Sequence, residues 1–264
     1  GVDVVVARRR LRWEIAIVLS LSLLPSALYA VLDLVELALS TTPVADAQTT
    51  LNPQVSDTAI LDTLNRVVRF FAGVAPVALV VWLLWQRHET GFHRLGLNWR
   101  GWGDIGRGAL LAASVGIPGL ALYAGSRLAG YTLQVIAGDP TFQWDSTIAL
   151  VLSAARAALI EEVVVVAYLA LRLRALGWRP TAIVLASALL RGSYHLYQGI
   201  PMALGNVAMG LLFATVFLWL LNRKRDAGEP KRSRVLPLVV AHFILDAVSF
   251  LGYPFALALF PQIF

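Results

Sequence analysis

The chain has 264 residues, of which 58% are hydrophobic and only 14% are charged, and its mean hydropathy is +0.70. Soluble domains carry roughly 25% charged residues, so this composition excludes an ordinary soluble protein and indicates an integral membrane protein. The sequence has no cysteine, which excludes disulfides, thiolate metal sites and a cysteine nucleophile. The net charge of +6 does not indicate nucleic-acid binding, because the basic residues flank apolar segments as topology signals do.

Seven apolar stretches are long enough to cross a membrane, which takes about 20 residues per helix. The first follows the basic run ARRRLRW, where we expect a membrane anchor and not a cleaved signal peptide. In chain order the predicted segments are 14–38, 63–86, 106–128, 146–173, 180–196, 201–222 and 235–251, with FALALFPQIF as a candidate short eighth. The sequence therefore predicts an all-α, polytopic transmembrane bundle of seven to eight helices that forms one domain over residues 1–264.

The Lys and Arg residues predict the orientation of this bundle. If the N-terminus is cytoplasmic, 17 of the 22 basic residues fall on the cytoplasmic side, in 8–12, 87–107, 172–179 and 223–234. Cytoplasmic loops are enriched in Lys and Arg. We therefore expect a multi-pass membrane protein with a cytoplasmic N-terminus. The loop NRKRDAGEPKRSR is interpreted mainly as a topology signal, and contact with membrane lipid is expected.

Ionisable residues inside the predicted helices mark a candidate functional cavity, because charges in a bilayer are costly and usually functional. Glu161 and Glu162 are adjacent in one apolar run, and about 100° of helical rotation separates them. One is expected to face the reaction centre while the other orients it or pairs elsewhere. Pairs spaced four apart, predicted to share a helix face, supply the other members of the set: Arg191 with His195, and His242 with Asp246.

The expected depths of these residues in the membrane agree with one another for most of the set. At about 1.5 Å per residue from the basic ends, Glu161 lies roughly 13 Å deep, His242 about 9 Å and Asp246 about 15 Å. His195 comes out at about 21 Å, which requires its helix to be tilted or to start later than predicted. Buried Arg156 is interpreted as a structural partner of a glutamate. Tyr194, Tyr197, Gln198 and Asn206 are candidates for the polar lining.

Two chemistries fit these residue types. Glu161, His195 and His242 are suitable Zn²⁺ ligands, and zinc would make a bound water acidic enough to attack a carbonyl. Without a metal, Glu161 would act as general base on water while the histidines hold the oxyanion. The residues alone leave both versions open.

Three motifs in successive core helices resemble those of the CPBP family of intramembrane metalloproteases, the CAAX-protease and bacteriocin-processing group related to the Ras-converting endopeptidase. The family pattern is E-E-x-x-x-R, then F-x-x-x-H, then H-x-x-x-N or H-x-x-x-D. Here the motifs stand as EEVVVVAYL, LLRGSYHLYQG and VVAHFILDAV. The resemblance covers roughly residues 90–252, after two N-terminal transmembrane helices within 1–89, and the sequence looks like actinobacterial members.

This resemblance implies an endopeptidase whose catalytic residues are Glu161, Glu162, His195, His242 and Asp246. Glu161 would activate water with support from Glu162, and the substrate would be a peptide or protein; prenylated CAAX substrates are not expected. Two positions depart from the pattern, because Val166 stands where arginine is expected and Arg191 where phenylalanine is expected. Arg191 or Arg156 is a candidate source of the missing charge.

Two other functions compete with proteolysis. The missing arginine motivates a non-catalytic membrane scaffold, or an immunity-type protein, that binds a protein partner or peptide in the same groove. An ion-coupled transporter would also use buried carboxylates, but it predicts inverted repeats, and the sequence shows no such symmetry.

Overall fold

The computed structural model describes residues 2–138, 144–223 and 232–264. These residues are arranged as an all-α membrane bundle, which confirms the predicted fold class. Its α-helices are α1 (Val2–Ser20), α2 (Leu24–Leu39), α3 (Ala59–Leu84), α4 (Gly91–Leu95), α5 (Gly103–Leu128), α6 (Trp144–Ile160), α7 (Leu169–Ala175), α8 (Pro180–Ser193), α9 (Ile200–Asn222) and α10 (Leu236–Leu259).

Among the described residues, four helices, α3, α5, α9 and α10, are apolar and long enough to cross a membrane, and α1 with α2 makes a fifth span if this bent pair is counted as one. The prolines inside α3 and α5, Pro76 and Pro118, do not end either helix. The predicted short eighth helix is wrong, because α10 continues without a break through Phe255–Leu259 and only a terminal turn follows.

The first predicted segment, 14–38, is divided between two helices that together form one bent span. α1 begins at Val2 and ends at Ser20, and α2 leaves it at an angle of 54° after a three-residue link. Pro25 lies in the first turn of α2, where a missing N–H costs no helical hydrogen bond. Glu14 fixes α1 to α7: its Oε1 accepts from Arg172 Nε at 2.8 Å and from the Tyr168 hydroxyl at 3.0 Å.

The helix that carries the two glutamates changes its winding at that point. α6 passes directly into a π-helical segment, Glu161–Tyr168, which passes into α7, so residues 144–175 form one uninterrupted rod. Every residue of the π segment is buried. Short π-helical insertions are rare and occur frequently at functional sites.

The helix predicted over 180–196 stops early. α8 ends at Ser193, and a single 3₁₀ turn, Leu196–Gln198, leads to Gly199, which has φ = +97° and precedes α9. His195 therefore lies in the connection between the two helices and does not share a helix face with Arg191.

Two short strands were not anticipated from the sequence. β1 (Gln48–Thr50) pairs in parallel with β2 (Gln134–Ile136), which joins the loop before α3 to the loop before α6. At the other end of the bundle, the buried Arg234 side chain bonds both carboxylate oxygens of Asp104, so the start of α10 is fixed to α5. Most of the basic loop predicted over 222–234 lies outside the described residues.

The main hydrophobic core surrounds the π segment. Its fully buried members include Val163 and Val164 of the π segment, Phe213 and Phe217 of α9, and Leu238 of α10. A second cluster joins Leu23 and Ala27, at the start of α2, to Val165 and Tyr194. The two glutamates therefore lie at the centre of the bundle, with α2 packed beside them.

Candidate active site

Glu162 is the fully buried member of the glutamate pair. Its Oε1 accepts a hydrogen bond from Arg191 Nη2 at 2.6 Å and another from His242 Nδ1 at 2.6 Å. A buried carboxylate is costly unless charge partners and hydrogen bonds compensate it. Glu162 is thus held in place by one residue from α8 and one from α10.

Glu161 differs from its neighbour because 9% of its surface is exposed. Its Oε2 accepts a hydrogen bond from the Tyr194 hydroxyl at 2.9 Å and lies 3.5 Å from Arg191 Nη1. No bond to Glu161 Oε1 is found within the described parts of the chain. Of the two carboxylates, Glu161 is therefore the one that water or a substrate can reach.

Arg191 bridges both carboxylates although none of its side chain is exposed. Its guanidinium also lies 5.5 Å from the centre of the Phe213 ring. α8 and α9 approach closely around it at two glycines. A Cβ on Gly192 would meet Val207, and one on Gly210 would meet the backbone of Ala188. Arg191 thus supplies the positive charge that the family pattern would place at position 166, where Val166 is buried in the apolar core.

His195 is oriented by the chain that precedes it. Its Nδ1 lies 2.9 Å from the carbonyl oxygen of Arg191, and because a carbonyl can only accept, Nδ1–H is the donor. Nε2 is therefore the free ring nitrogen, unprotonated in the neutral ring. The ring packs at 4.8 Å from the ring of Tyr194, the residue that bonds Glu161.

His242 faces a carboxylate at each ring nitrogen. Nδ1 donates to Glu162, and Nε2 lies 3.4 Å from Asp246 Oδ2 one helical turn further along α10. The side chain of Asp246 is 24% exposed, against 7% for His242. The predicted sharing of one helix face by these two residues is confirmed.

The structure does not present the three proposed zinc ligands as a metal-binding set. Within the described ranges, no group of three His, Asp or Glu side chains is placed to hold a metal ion. Oε2 of Glu161 is engaged by Tyr194 and Arg191, and both nitrogens of His242 face carboxylates. The donor set as arranged therefore does not fit zinc, and we derive no chemical step through it.

The other predicted polar residues divide between the site and its surroundings. Tyr197 stacks on His195 at 6.5 Å and accepts a hydrogen bond from Gln198, so both extend the polar lining. Asn206 instead bonds the carbonyl of Met202 within its own helix. Arg156 is exposed and forms no ion pair with either glutamate, so its predicted role as buried structural partner is wrong.

Comparison with known families supports this grouping. Residues 143–248 match the family model described as type II CAAX prenyl endopeptidase Rce1-like. Over this range, which is less than half of the chain, the sequence is similar to that family. The matched range includes both glutamates, Arg191, both histidines and Asp246. The comparisons with curated proteins and with solved structures gave no match.

No catalytic role was predicted from the sequence for two residues of this site, Tyr194 and Arg191. Tyr194 was one of four candidates for the lining, and only the structure selects it as the donor to Glu161. Arg191 was a candidate source of charge together with Arg156. The signal for Arg191 was a cation in an apolar run next to a motif histidine, but its contact with α6 joins residues 29 positions apart, a distance that sequence spacing does not encode.

Proposed function

We propose that this Rce1-like protein is an endopeptidase that hydrolyses a peptide bond within the membrane, using a water molecule activated by Glu161. The observation that carries the proposal is the unequal environment of the two glutamates. Glu162 is sealed and doubly bonded, whereas Glu161 keeps accessible surface and an oxygen without a bond to the described residues. An accessible carboxylate held by a neighbouring donor can act as general base.

The proposed reaction uses the groups of this chain in a fixed order. Glu161 takes a proton from water as the water oxygen forms a bond to the peptide carbonyl carbon. His195, a neutral ring whose Nδ1–H is bonded to the Arg191 carbonyl, accepts a hydrogen bond from this water at Nε2. The resulting oxyanion accepts a hydrogen bond from Nε2–H of His242, whose imidazolium is stabilised by the carboxylates of Glu162 and Asp246. Glu161 then returns the proton to the leaving nitrogen as the carbon–nitrogen bond breaks.

Arg191, Glu162 and Asp246 act as positioning residues in this scheme. Arg191 touches both carboxylates, so it fixes the distance between the base and its buried neighbour. Glu162 in turn orients His242 through Nδ1, and Asp246 lies at the other ring nitrogen. The substrate class is a peptide or protein segment that reaches the cavity from the membrane or the cytoplasmic side, and the proposed location is the bacterial plasma membrane.

A non-catalytic scaffold was the main alternative, motivated by the missing arginine at position 166. The guanidinium of Arg191 lies between both glutamates, so a cation is present at the pair and that motive is weakened. No other observation favours the scaffold, and it becomes an outcome of the following experiment.

We expect Glu161→Gln to lower the cleavage rate by about a hundredfold or more, because a neutral amide cannot accept the proton of water. Purified protein in proteoliposomes would be incubated with a library of membrane-associated peptides, with and without prenyl groups. New peptide termini would be identified by mass spectrometry. The matched control is Glu89→Gln, which changes an exposed glutamate in the connection between α3 and α4. Cleavage that survives Glu161→Gln would contradict the mechanism, and cleavage by no variant, wild type included, would favour the scaffold.

Metal dependence is addressed by chelation in the same assay. Glu161 and His242 are engaged by other side chains, and the described residues form no three-ligand set. We therefore expect treatment with 1,10-phenanthroline to leave the cleavage rate within about twofold. The non-chelating isomer 1,7-phenanthroline is the control. A loss of cleavage that added Zn²⁺ restores would contradict the metal-free route and support Glu161, His195 and His242 as ligands.

A further inference from the structure

A second polar feature lies apart from the glutamates, in a pocket between α3, α6 and the loop that precedes α3. Three arginines, Arg66, Arg69 and Arg156, line this pocket together with apolar Phe70 and Leu152 and with Asn52 of the loop. Cations beside apolar surface, in a membrane protein, are the combination that a lipid headgroup and its first methylenes require.

The rim of the pocket is fixed in place. Asp62 accepts a hydrogen bond from Arg66 Nε at 2.9 Å and from the backbone N–H of Val55 at 2.7 Å. Arg66 Nη2 also donates to the carbonyls of Asn52 and Pro53, at 3.3 and 3.2 Å. These hydrogen bonds fix the loop before α3 to that helix, and Asp62 neutralises the charge of Arg66.

The other two arginines have no such counter-charge. Arg69 and Arg156 are both exposed, and neither forms an ion pair with a described acidic residue. Gly73 brings Arg156 against α3, because a Cβ at that position would overlap Cγ and Cδ of the Arg156 side chain. The pocket thus presents two unpaired guanidinium groups, one from each of two packed helices.

The position along the bundle matches a membrane surface. Arg156 precedes Arg172, at the basic end of α7, by 16 residues of one continuous rod, which corresponds to roughly 24 Å. A hydrocarbon core is about 30 Å thick. Arg156 therefore lies in the half of the membrane away from Arg172, where its long side chain can extend to the headgroups.

We propose that Arg69 and Arg156 bind the phosphoryl group of an anionic phospholipid whose first methylenes lie against Phe70 and Leu152. A phosphate oxygen pair matches the planar fork of guanidinium, which binds phosphate bidentately and more strongly than neutral donors do. Arg66 stays with Asp62 and shapes the rim. The site is separate from the proposed catalytic residues, and its occupant is a structural lipid.

The test is a lipid titration of the full chain in detergent, followed by native mass spectrometry. The probes are phosphatidylglycerol, diacylglycerol with the same acyl chains but no phosphate, and inorganic phosphate. The site variant is Arg69→Ala with Arg156→Ala. The charge-matched control is Arg107→Ala with Arg179→Ala, two exposed arginines elsewhere. Gly73→Ala is a third variant, which leaves both charges but displaces the Arg156 stem.

We expect the site variant to weaken phosphatidylglycerol binding about tenfold or more, because each arginine near a lipid surface raises the affinity by about a factor of five. Gly73→Ala should weaken it in the same direction, and the control should stay within about twofold. Equal binding of diacylglycerol, or an equal effect of the control variant, would overturn the proposal. Displacement of phosphatidylglycerol by millimolar inorganic phosphate would overturn the lipid as occupant in favour of free phosphate.

Discussion

Arg191 is the residue on which the geometry of the glutamate pair depends. It is wholly buried, and its two terminal nitrogens lie 2.6 Å from Glu162 and 3.5 Å from Glu161. Removing one partner of a buried ion pair costs about 3–5 kcal/mol, because the remaining charge is left uncompensated. The same guanidinium on the neighbouring helix can replace a motif arginine because what the carboxylates need is a nearby cation, whichever helix supplies it.

This interpretation predicts that the arginine can be moved. Arg191→Phe alone should lower the free energy of unfolding by about 3 kcal/mol or more, and adding Val166→Arg should restore part of it. In a π-helix the hydrogen bonds connect residues five apart, so position 166 lies about one turn from Glu161. Thermal unfolding in detergent and the peptide-library assay would measure recovery of stability and of cleavage.

The matched control places the new arginine two residues away, in Val164→Arg with Arg191→Phe. Val164 is equally buried in the same π segment, but it lies on a different face from Glu162. If this control recovered as much as the Val166→Arg variant, simple addition of charge would explain the effect, and the positional argument would be wrong.

The π segment, Glu161–Tyr168, is the element that places both glutamates. It is packed on all sides, and the Ser187 hydroxyl of α8 donates to the Val165 carbonyl at 2.8 Å, which is a buried contact between the two elements. Four consecutive valines are poor α-helix formers, and the sequence predicted only a plain helix over 146–173. Local propensity weakens the α-helix here, but the choice of π winding depends on what packs around it.

Ser187→Ala should lower the free energy of unfolding by about 1 kcal/mol, because it removes a buried hydrogen bond to the π segment. Unfolding in detergent, followed by circular dichroism, gives this quantity. The control is Ser114→Ala, since the exposed Ser114 hydroxyl bonds only the Leu111 carbonyl of its own helix, and its change should stay within about 0.5 kcal/mol. Equal effects of the two substitutions would show that the contact with α8 does not stabilise the π segment.

For the whole molecule, the orientation in the membrane is predicted from the distribution of basic residues. The described basic residues gather at the end that holds the α3–α5 and α7–α8 connections, including Arg87, Arg94, Arg174 and Arg179. Fewer described basic residues lie toward the opposite end, around β1 and β2: Arg127 near the end of α5, and Arg66, Arg69 and Arg156 beside the loop before α3. The positive-inside rule therefore predicts that the α7–α8 connection is cytoplasmic.

The absence of native cysteine allows a direct test of this orientation. A membrane-impermeant maleimide should label Thr42→Cys, in the loop between α2 and α3, on intact bacterial cells. It should label Arg179→Cys, in the connection before α8, only after the membrane is permeabilised. The reverse pattern would contradict the predicted cytoplasmic N-terminus.

The sequence by itself determined that the protein is a helical membrane protein, and it identified most of the candidate site residues. Apolar length predicts helices independently of their neighbours, so segments such as 106–128 and 201–222 lie close to α5 and α9. Buried ionisable residues are conspicuous in apolar runs for the same reason, which is how the glutamates, histidines and Asp246 could be selected.

Only the tertiary structure decided which of these residues lie together and which contacts each of them makes. It ended α8 before His195, wound the glutamates into a π segment, and brought Arg191 rather than Arg156 to them. These outcomes depend on contacts between helices that are distant in sequence, where close packing at Gly192 and Gly210 and the pairing of buried charges set the energy. Hydropathy and spacing describe one helix at a time, and they carry no information about which helix faces which.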